Sequence, residues 1–277
     1  MRVVITGHNG QLGRQLVAAF AEHELLKLDL PCDDITQPGI VRCIADFHPD
    51  LVVHGAAYTD VDGCERDPEL AFRVNAWGTQ NVASGAQKSG ATLLYISTNE
   101  VFDGTQRDAY REWDRLSPMS VYARSKAAGE QIVRDLTGGR FYIARIAWLF
   151  WPGGVNFITK ILDAARKGPL RVAVDEFGNP TYTPDLAQAV AALVVTGHYG
   201  IYHMTNAGFC SRYEFAAEII RVAGLAAPIT PILSAEWPRP SRPPLHAILA
   251  NTAGAALGIT LRPWRAALAE YVAGMTG

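Results

Sequence analysis

Along the first half of the chain, short runs of β-branched and aliphatic residues alternate with segments whose apolar positions recur every three or four residues. That alternation is the signature of repeated βα units on a parallel sheet. Arg2 to Thr6, centred on Val3-Val4-Ile5, predicts a strand, and Leu12, Leu16 and Phe20 share one face of the helix behind it. Leu25 to Leu28 predicts a second strand, Ile40, Val41, Ile44 and Phe47 the buried stripe of a second helix, and Asp50 to His54 a third strand. Asp67-Pro68 has the form of an N-cap followed by proline at the first helical position, which predicts a helix to about Ser89 that stops at Gly90. Leu93 to Ser97 predicts a fourth strand. Pro118 opens a further expected helix through Leu136, closed by Gly138-Gly139, and Phe141 to Ile146 predicts a fifth strand.

After about Trp151 the alternation weakens, prolines gather between Pro228 and Pro244, and short helices are expected over Tyr213 to Ala223 and Pro263 to Val272. The expected fold is α/β: a Rossmann-type doubly wound parallel sheet with a smaller, mainly helical C-terminal substrate lobe. Residues 1–150, rejoined by about 180–204, would form the dinucleotide-binding domain, and about 151–179 with 205–277 the lobe. A chain of 277 residues is long enough to bury the core this needs.

Composition narrows the function classes. Charged residues make up 19% with a net charge of −2, so no basic footprint for nucleic acid is present. Cys32, Cys43, Cys64 and Cys210 are far apart, without CxxC pairs or zinc-type histidine spacing, and read as reduced thiols; no metal site is expected. The first strand begins almost at Met1, leaving no room for a signal peptide, and the longest apolar stretch, Ala187 to Val195, is well short of the roughly 20 residues that cross a bilayer. A cytoplasmic protein with no membrane partner is expected, and a homodimer is compatible with the chain.

Two constellations carry chemistry. The turn after the first strand reads Gly7-His8-Asn9-Gly10-Gln11-Leu12-Gly13, a GxxGxxG in which glycines let the backbone approach a pyrophosphate at a helix N-terminus. Asp29 ends the second strand, where a carboxylate accepts ribose hydroxyls and repels an added phosphate; among NADH and NADPH, it favours NADH. The second constellation is Tyr122-Ala123-Arg124-Ser125-Lys126, with Thr98 at the end of the fourth strand. Residues four apart share a helical face, so Lys126 is expected beside the Tyr122 phenol, lowering its pKa from about 10 and making it a usable proton donor.

Together Gly7 to Gly13, Thr98 and the Tyr122/Lys126 pair resemble the extended short-chain dehydrogenases. Further segments narrow the likeness to the dTDP-4-dehydrorhamnose reductase family: His54-Gly55-Ala56-Ala57-Tyr58-Thr59-Asp60-Val61-Asp62, Ser97-Thr98-Asn99-Glu100-Val101-Phe102-Asp103-Gly104, Arg145-Ile146-Ala147-Trp148, Gly178 to Ala187, Arg242-Pro243 and Pro263-Trp264-Arg265. The likeness runs over essentially the whole chain. It implies reduction of the C4 ketone of a dTDP-4-keto-6-deoxy sugar, with Tyr122 protonating the carbonyl oxygen, Lys126 holding the cofactor ribose, and Thr98 hydrogen-bonding the same oxygen. By the same carry-over, Asn9, Gly10, Gln11, Leu12, Asp34, Ile35, Ala56, Ala57, Tyr58 and Ser97 would line the cofactor site. Asn99, Glu100, Trp148, Asn156 and Phe157 would border the sugar, and Arg242 would meet the diphosphate.

The chain departs from this family in two places. Where the reductases usually carry Asp-Tyr after the threonine, it has Asn99-Glu100, and the related 4,6-dehydratases carry Asp-Glu. Arg242 to Leu249 lacks the serine that often follows the family's Arg-Pro. His246 reads as a loop histidine. Two other functions therefore stand beside the reductase: a non-catalytic cofactor-binding subunit, as in regulatory partners of methionine adenosyltransferase, and a reductase or epimerase of another nucleotide sugar.

Overall fold

The structure, a computed structural model, describes residues 1–151 and 153–275. Residue 152 and the last two residues of the expected lobe lie outside them. Six parallel strands form one sheet: β1 (Arg2–Thr6), β2 (Glu24–Leu28), β3 (Leu51–His54), β4 (Thr92–Thr98), β5 (Phe141–Ile146) and β6 (Gly200–His203), in the order β6-β5-β4-β3-β1-β2. The return to the main sheet expected near Thr181 to His203 is the strand β6.

Side chains alternate across a strand, and here both faces are apolar. Val3 and Ile5 of β1 join Val53 and Leu94 in a core sealed by Leu12 and Leu16 of α1 (Gln11–Ala19) and by Leu186 and Val190, while Val4, Val52 and Leu93 face the opposite way. The second face is covered by Ile40 and Ile44 of α2 (Gly39–Asp46), Val82, Ala83 and Ala86 of α3 (Thr79–Ser89) and Val133 of α4 (Val121–Leu136). Helices on both faces of a parallel sheet are what near-continuous apolar strands require.

A third apolar cluster lies off the sheet. Ile158, Ile161 and Leu162 of α5 (Phe157–Ala165) pack with Phe215, Ala216 and Ile219 of a later helix and with Trp264, Leu268 and Tyr271 near the C-terminus. Three longer helices follow in chain order, α6 (Thr183–Val194), α7 (Arg212–Val222) and α8 (Trp264–Ala273). Four two-stranded sheets accompany the six-stranded one, among them Leu149–Phe150 with Thr181–Tyr182 and Leu170–Ala173 with Ile229–Ile232. The lobe is thus more mixed than its helical periodicity suggests, because strands of two to four residues are too short to show alternation.

Two expected helices differ by more than a one-residue shift of an end. α4 starts at Val121 rather than Pro118, because Ser120 is its N-cap and its hydroxyl accepts the Ala123 amide at 3.0 Å. The helix after Asp67 is capped as expected, the Asp67 carboxylate accepting the Leu70 amide, but it passes through a π-helical segment, Arg73–Gly78, before α3.

Behind the sheet lies a buried polar chain. Thr79 donates its hydroxyl proton to the Asn75 carbonyl (2.7 Å), so its oxygen accepts His54 Nε2–H (3.0 Å), and His54 Nδ1 accepts from Thr6 (2.7 Å). That arrangement suits a neutral imidazole. Burial, then Lys126, holds His54 down to about 3; burial, then Arg145, does the same to His203. Both folded values lie below the unfolded one near 6.5, so their stabilisation is present above 6.5 and is lost as pH falls toward 3. Urea unfolding at pH 7 and pH 4 should show a steep acid loss that shrinks in the His54→Gln variant; an unchanged slope would refute the assignment.

Candidate functional site

Between β1 and β3 the strand order reverses, and in such sheets ligands sit beyond the C-terminal strand ends at that point. A cavity of about 550 Å³ opens there, within the size range of ligand sites, and runs from the glycine turn to the end of β4 and on to Trp148 and Arg212. Gly7 has φ +73°, and a Cβ on it would lie 2.7 Å from the Ala56 nitrogen; one on Gly13 would lie 2.0 Å from the Gly7 carbonyl oxygen. The turn can close this tightly only without side chains. Gly13→Ala should cost about 1–3 kcal/mol by overpacking and weaken NAD(P)H binding at least tenfold, as read by urea midpoint and fluorescence titration. Wild-type affinity in that variant would show that the turn does not shape the site.

The expected cofactor residues divide. Gly7, Gly10, Gln11, Leu12, Gly13, Asp29, Asp34, Ile35, Ala56, Ala57, Ser97 and Lys126 are all in the cavity wall. Asp29 is held by two amides, Asn9 on Oδ2 and Leu30 on Oδ1, each at 2.8 Å. Asn9 contributes that backbone amide and is not in the wall. Asp34 accepts the Thr36 amide at 2.8 Å, which lowers its pKa. Tyr58 also lies outside the wall: Asn75 accepts its amide (2.8 Å) and donates to its carbonyl (3.0 Å). Ser97 donates to Glu130 at 2.6 Å.

Thr98, Tyr122 and Lys126 meet on one side of the cavity. Thr98 caps the short turn Asn99–Val101, its hydroxyl accepting the Glu100 amide at 3.2 Å, and it also hydrogen-bonds the Tyr122 phenol. The electrostatics correct one expectation. Lys126 Nζ donates to the Ile96 carbonyl at 2.7 Å and sits 4.1 Å from the centre of the Tyr95 ring, and burial pulls it down to about 7 against the pull of Glu130. It is not among the groups that act on the phenol. Burial first, then the Glu100 charge, push Tyr122 well above its ordinary value, and the Thr98 hydrogen bond offsets part of this. Phenol and ammonium do share a helix face, but the Ile96 carbonyl engages the ammonium, and burial holds the phenol above rather than below its ordinary value.

At the far end, Asn99, Glu100 and Trp148 line both the large cavity and an adjoining one of about 120 Å³. Asn99 donates to the Ala247 carbonyl at 3.0 Å. Burial raises Glu100 to about 7, opposed by Arg212 and Arg239. Trp148 stands at φ +42°, a costly conformation for a bulky residue. Asn156, Phe157 and Arg242 are not in either wall. Asn156 is the N-cap of α5, accepting the Thr159 amide and donating to the Trp151 carbonyl; Phe157 stacks on Phe215; Arg242 is exposed.

Three charged residues in the wall of the smaller cavity were not foreseen: Arg212, Arg239 and Glu176. The capping box of Ser211 and Glu214 marks the start of α7 in the sequence, which places Arg212 at its first position, but no spacing ties that arginine to residues more than a hundred positions away. Asn75 was also missed. Its amide donates to Ser125 of α4 (2.9 Å) as well as to Tyr58, bracing the loop after β3 against the helix that carries Tyr122.

A doubly wound parallel sheet with a glycine turn at its switch point and a Tyr/Lys pair on the helix after β4 defines the Rossmann-type short-chain dehydrogenase class. A family model described as the RmlD substrate binding domain matches residues 1–276. The chain belongs to the dTDP-4-dehydrorhamnose reductase family. It is 38% identical to the spore coat polysaccharide biosynthesis protein SpsK of Bacillus subtilis, over 98% of this chain and 96% of that one. It is 39% identical to the dTDP-4-dehydrorhamnose reductase of Mycobacterium tuberculosis H37Rv, over 98% and 92%. The crystal structure of a Clostridium acetobutylicum dTDP-4-dehydrorhamnose reductase matches with a TM-score of 0.96 at 36% identity, covering all of both chains. That of the Bacillus anthracis enzyme in complex with NADP matches with 0.93 at 35%, covering 98% of each.

Proposed function

We propose that the protein reduces the C4 ketone of a nucleotide-linked 4-keto-6-deoxy sugar with NAD(P)H, converting dTDP-4-dehydro-L-rhamnose to dTDP-L-rhamnose. The observation that carries this reading is the convergence of Thr98, Tyr122 and Lys126 on the cavity that begins at the Gly7 turn. The cavity suits a dinucleotide: glycines leave the backbone bare where a pyrophosphate would lie, and among the described residues Gln11 Oε1, in its wall, is buried without a hydrogen-bond partner. When bound, the cofactor supplies the hydride. The protein supplies the proton: Thr98 and Tyr122 hold the ketone oxygen from one side, and Tyr122 protonates it as negative charge develops. Lys126, fixed by the Ile96 carbonyl in the same wall, would hold the cofactor ribose.

Residues 1–150 with about 180–204 would bind the dinucleotide and the remainder the sugar. Asp29, with both oxygens fixed at the wall, favours NADH over NADPH; equal kcat/KM for the two would defeat that preference. Arg212 and Arg239, rather than the exposed Arg242, supply the cationic side of the sugar end. Among the described residues, no helix is long and apolar enough to cross a membrane, and we place the reaction in the cytoplasm. The test is direct. Purified protein mixed with dTDP-4-dehydro-L-rhamnose and either reduced cofactor should consume absorbance at 340 nm stoichiometrically with product; no oxidation of either cofactor overturns the reading. The binding-only alternative would leave the Thr98–Tyr122 pair without a role.

A further inference from the structure

The smaller cavity is walled by four charged residues, Glu100, Glu176, Arg212 and Arg239. Glu176 pairs tightly with Arg239 and lies 3.7 Å from Arg212, so its carboxylate is engaged from two sides. Arg212 lies over the Trp148 ring at 3.6 Å, and among the described residues its guanidinium donates no hydrogen bond. In the same wall, the Glu100 carboxylate receives, among the described residues, only a long contact from the Ser120 hydroxyl, 3.5 Å to Oε2. A planar donor fork and a carboxylate acceptor, both with unused capacity, thus face a space of about 120 Å³, large enough for part of a sugar ring and too small for a nucleotide.

Leaving such groups desolvated and unpaired costs free energy, and the ligand that relieves both at once is a hydroxyl, which donates to the carboxylate while accepting from the guanidinium. Its position follows from the chain. Glu100 is two residues beyond Thr98, and its charge acts on the Tyr122 phenol, so it stands beside the pair that holds the ketone oxygen. A tyrosine, usual in the family at this position, offers a single weakly polar edge; a carboxylate opposed to an arginine is more exacting.

We propose that Glu100 and Arg212 are the specificity pair of the sugar subsite, reading a free hydroxyl on the carbon next to the ketone. The chain then takes 4-keto sugars that keep this hydroxyl and rejects those that have lost it. This rests on the reductase reading and deepens it. Arg239, held by Glu176, keeps Glu176 from neutralising Arg212 fully, and Trp148 fixes the plane of the fork.

The experiment uses two substrates, dTDP-4-keto-6-deoxy sugars with and without the C3 hydroxyl, and the wild-type, Glu100→Ala, Glu100→Gln and Arg212→Lys proteins. Wild-type kcat/KM should favour the hydroxylated sugar by about 10²-fold or more, since a site built to hydrogen-bond a hydroxyl is left unpaired by its absence. Glu100→Ala should narrow that ratio at least tenfold, and Arg212→Lys, which keeps charge but loses the fork, should narrow it too. Glu100→Gln, which still accepts a hydrogen bond, should recover much of the preference. A merely structural role would lower both substrates equally and leave the ratio where it was. Calorimetric Kd values for the two 4-hydroxy products separate the two failures. Turnover with a flat ratio in wild type, or the same ratio in Glu100→Ala, overturns the specificity pair and spares the reductase. No turnover, but a product affinity difference that Glu100→Ala abolishes, overturns the reductase and spares the pair.

Discussion

Replacing Tyr122 with phenylalanine should lower kcat by about 10²-fold or more, the usual loss when a positioned general acid is removed. The ring itself should stay in place. Its apolar part packs with Tyr58 against Cys64, Ala71 and Val121, contacts that phenylalanine keeps, so the melting temperature and the affinity for NAD(P)H should change little. Loss of turnover with binding retained is the signature of a group that works only in the transition state. Turnover within twofold of wild type would remove Tyr122 from the chemistry. The pH profile adds a check. Burial and Glu100 keep the phenol protonated throughout the neutral range, so it has no titration to contribute there. A limb near neutrality from Glu100 or Lys126, both near 7, should survive in the phenylalanine variant on whatever activity remains.

The second large effect is on stability. Arg145 and Glu130 are each 1% exposed and meet in a bidentate pair, Nε to Oε1 at 2.9 Å and Nη2 to Oε2 at 2.8 Å. Ser97 adds its hydroxyl to Glu130, and Arg145 donates to the Glu112 carbonyl at 3.1 Å. Arg145→Met would take from the buried Glu130 carboxylate its bidentate partner, leaving Ser97 and the longer contact to Arg134 at 3.5 Å, and its cost should be about 3–5 kcal/mol in urea unfolding, enough to unfold a marginal domain. Removing both partners should be milder: the double change Arg145→Met with Glu130→Leu should recover part of the loss. A single-variant cost below about 1 kcal/mol would show that the pair is solvated in practice. The same carboxylate supports the charge of Lys126, so the damage should extend to activity near pH 7.

Much of this was legible from residues alone. The β1 strand and the glycine turn are local, and local periodicity and sterics specify them; Thr98, Tyr122 and Lys126 follow from the register of β4 and α4. The start of α4 was misplaced because a proline and a serine two residues apart both resemble helix openings, and only the backbone shows which one caps. The tuning of Tyr122 by Lys126 was misjudged for another reason. Sharing a helix face fixes where an ammonium starts, but the carbonyl of Ile96, on a neighbouring strand, decides where it ends. The sugar end was the least legible: Glu100, Glu176, Arg212 and Arg239 come from four distant stretches of chain, and only the folded lobe brings them together.

Asn75 has a consequence for anyone wishing to redirect this scaffold. Its amide ties the loop after β3 to the helix bearing the proton donor, and among the described residues it shares no hydrogen-bond partner with the charged ring around Glu100 and Arg212. Brace and ring are therefore held by separate bonds: the ring can be rebuilt for a different sugar while the brace keeps the catalytic helix in place, and a change at Glu100 also changes the field on the Tyr122 phenol.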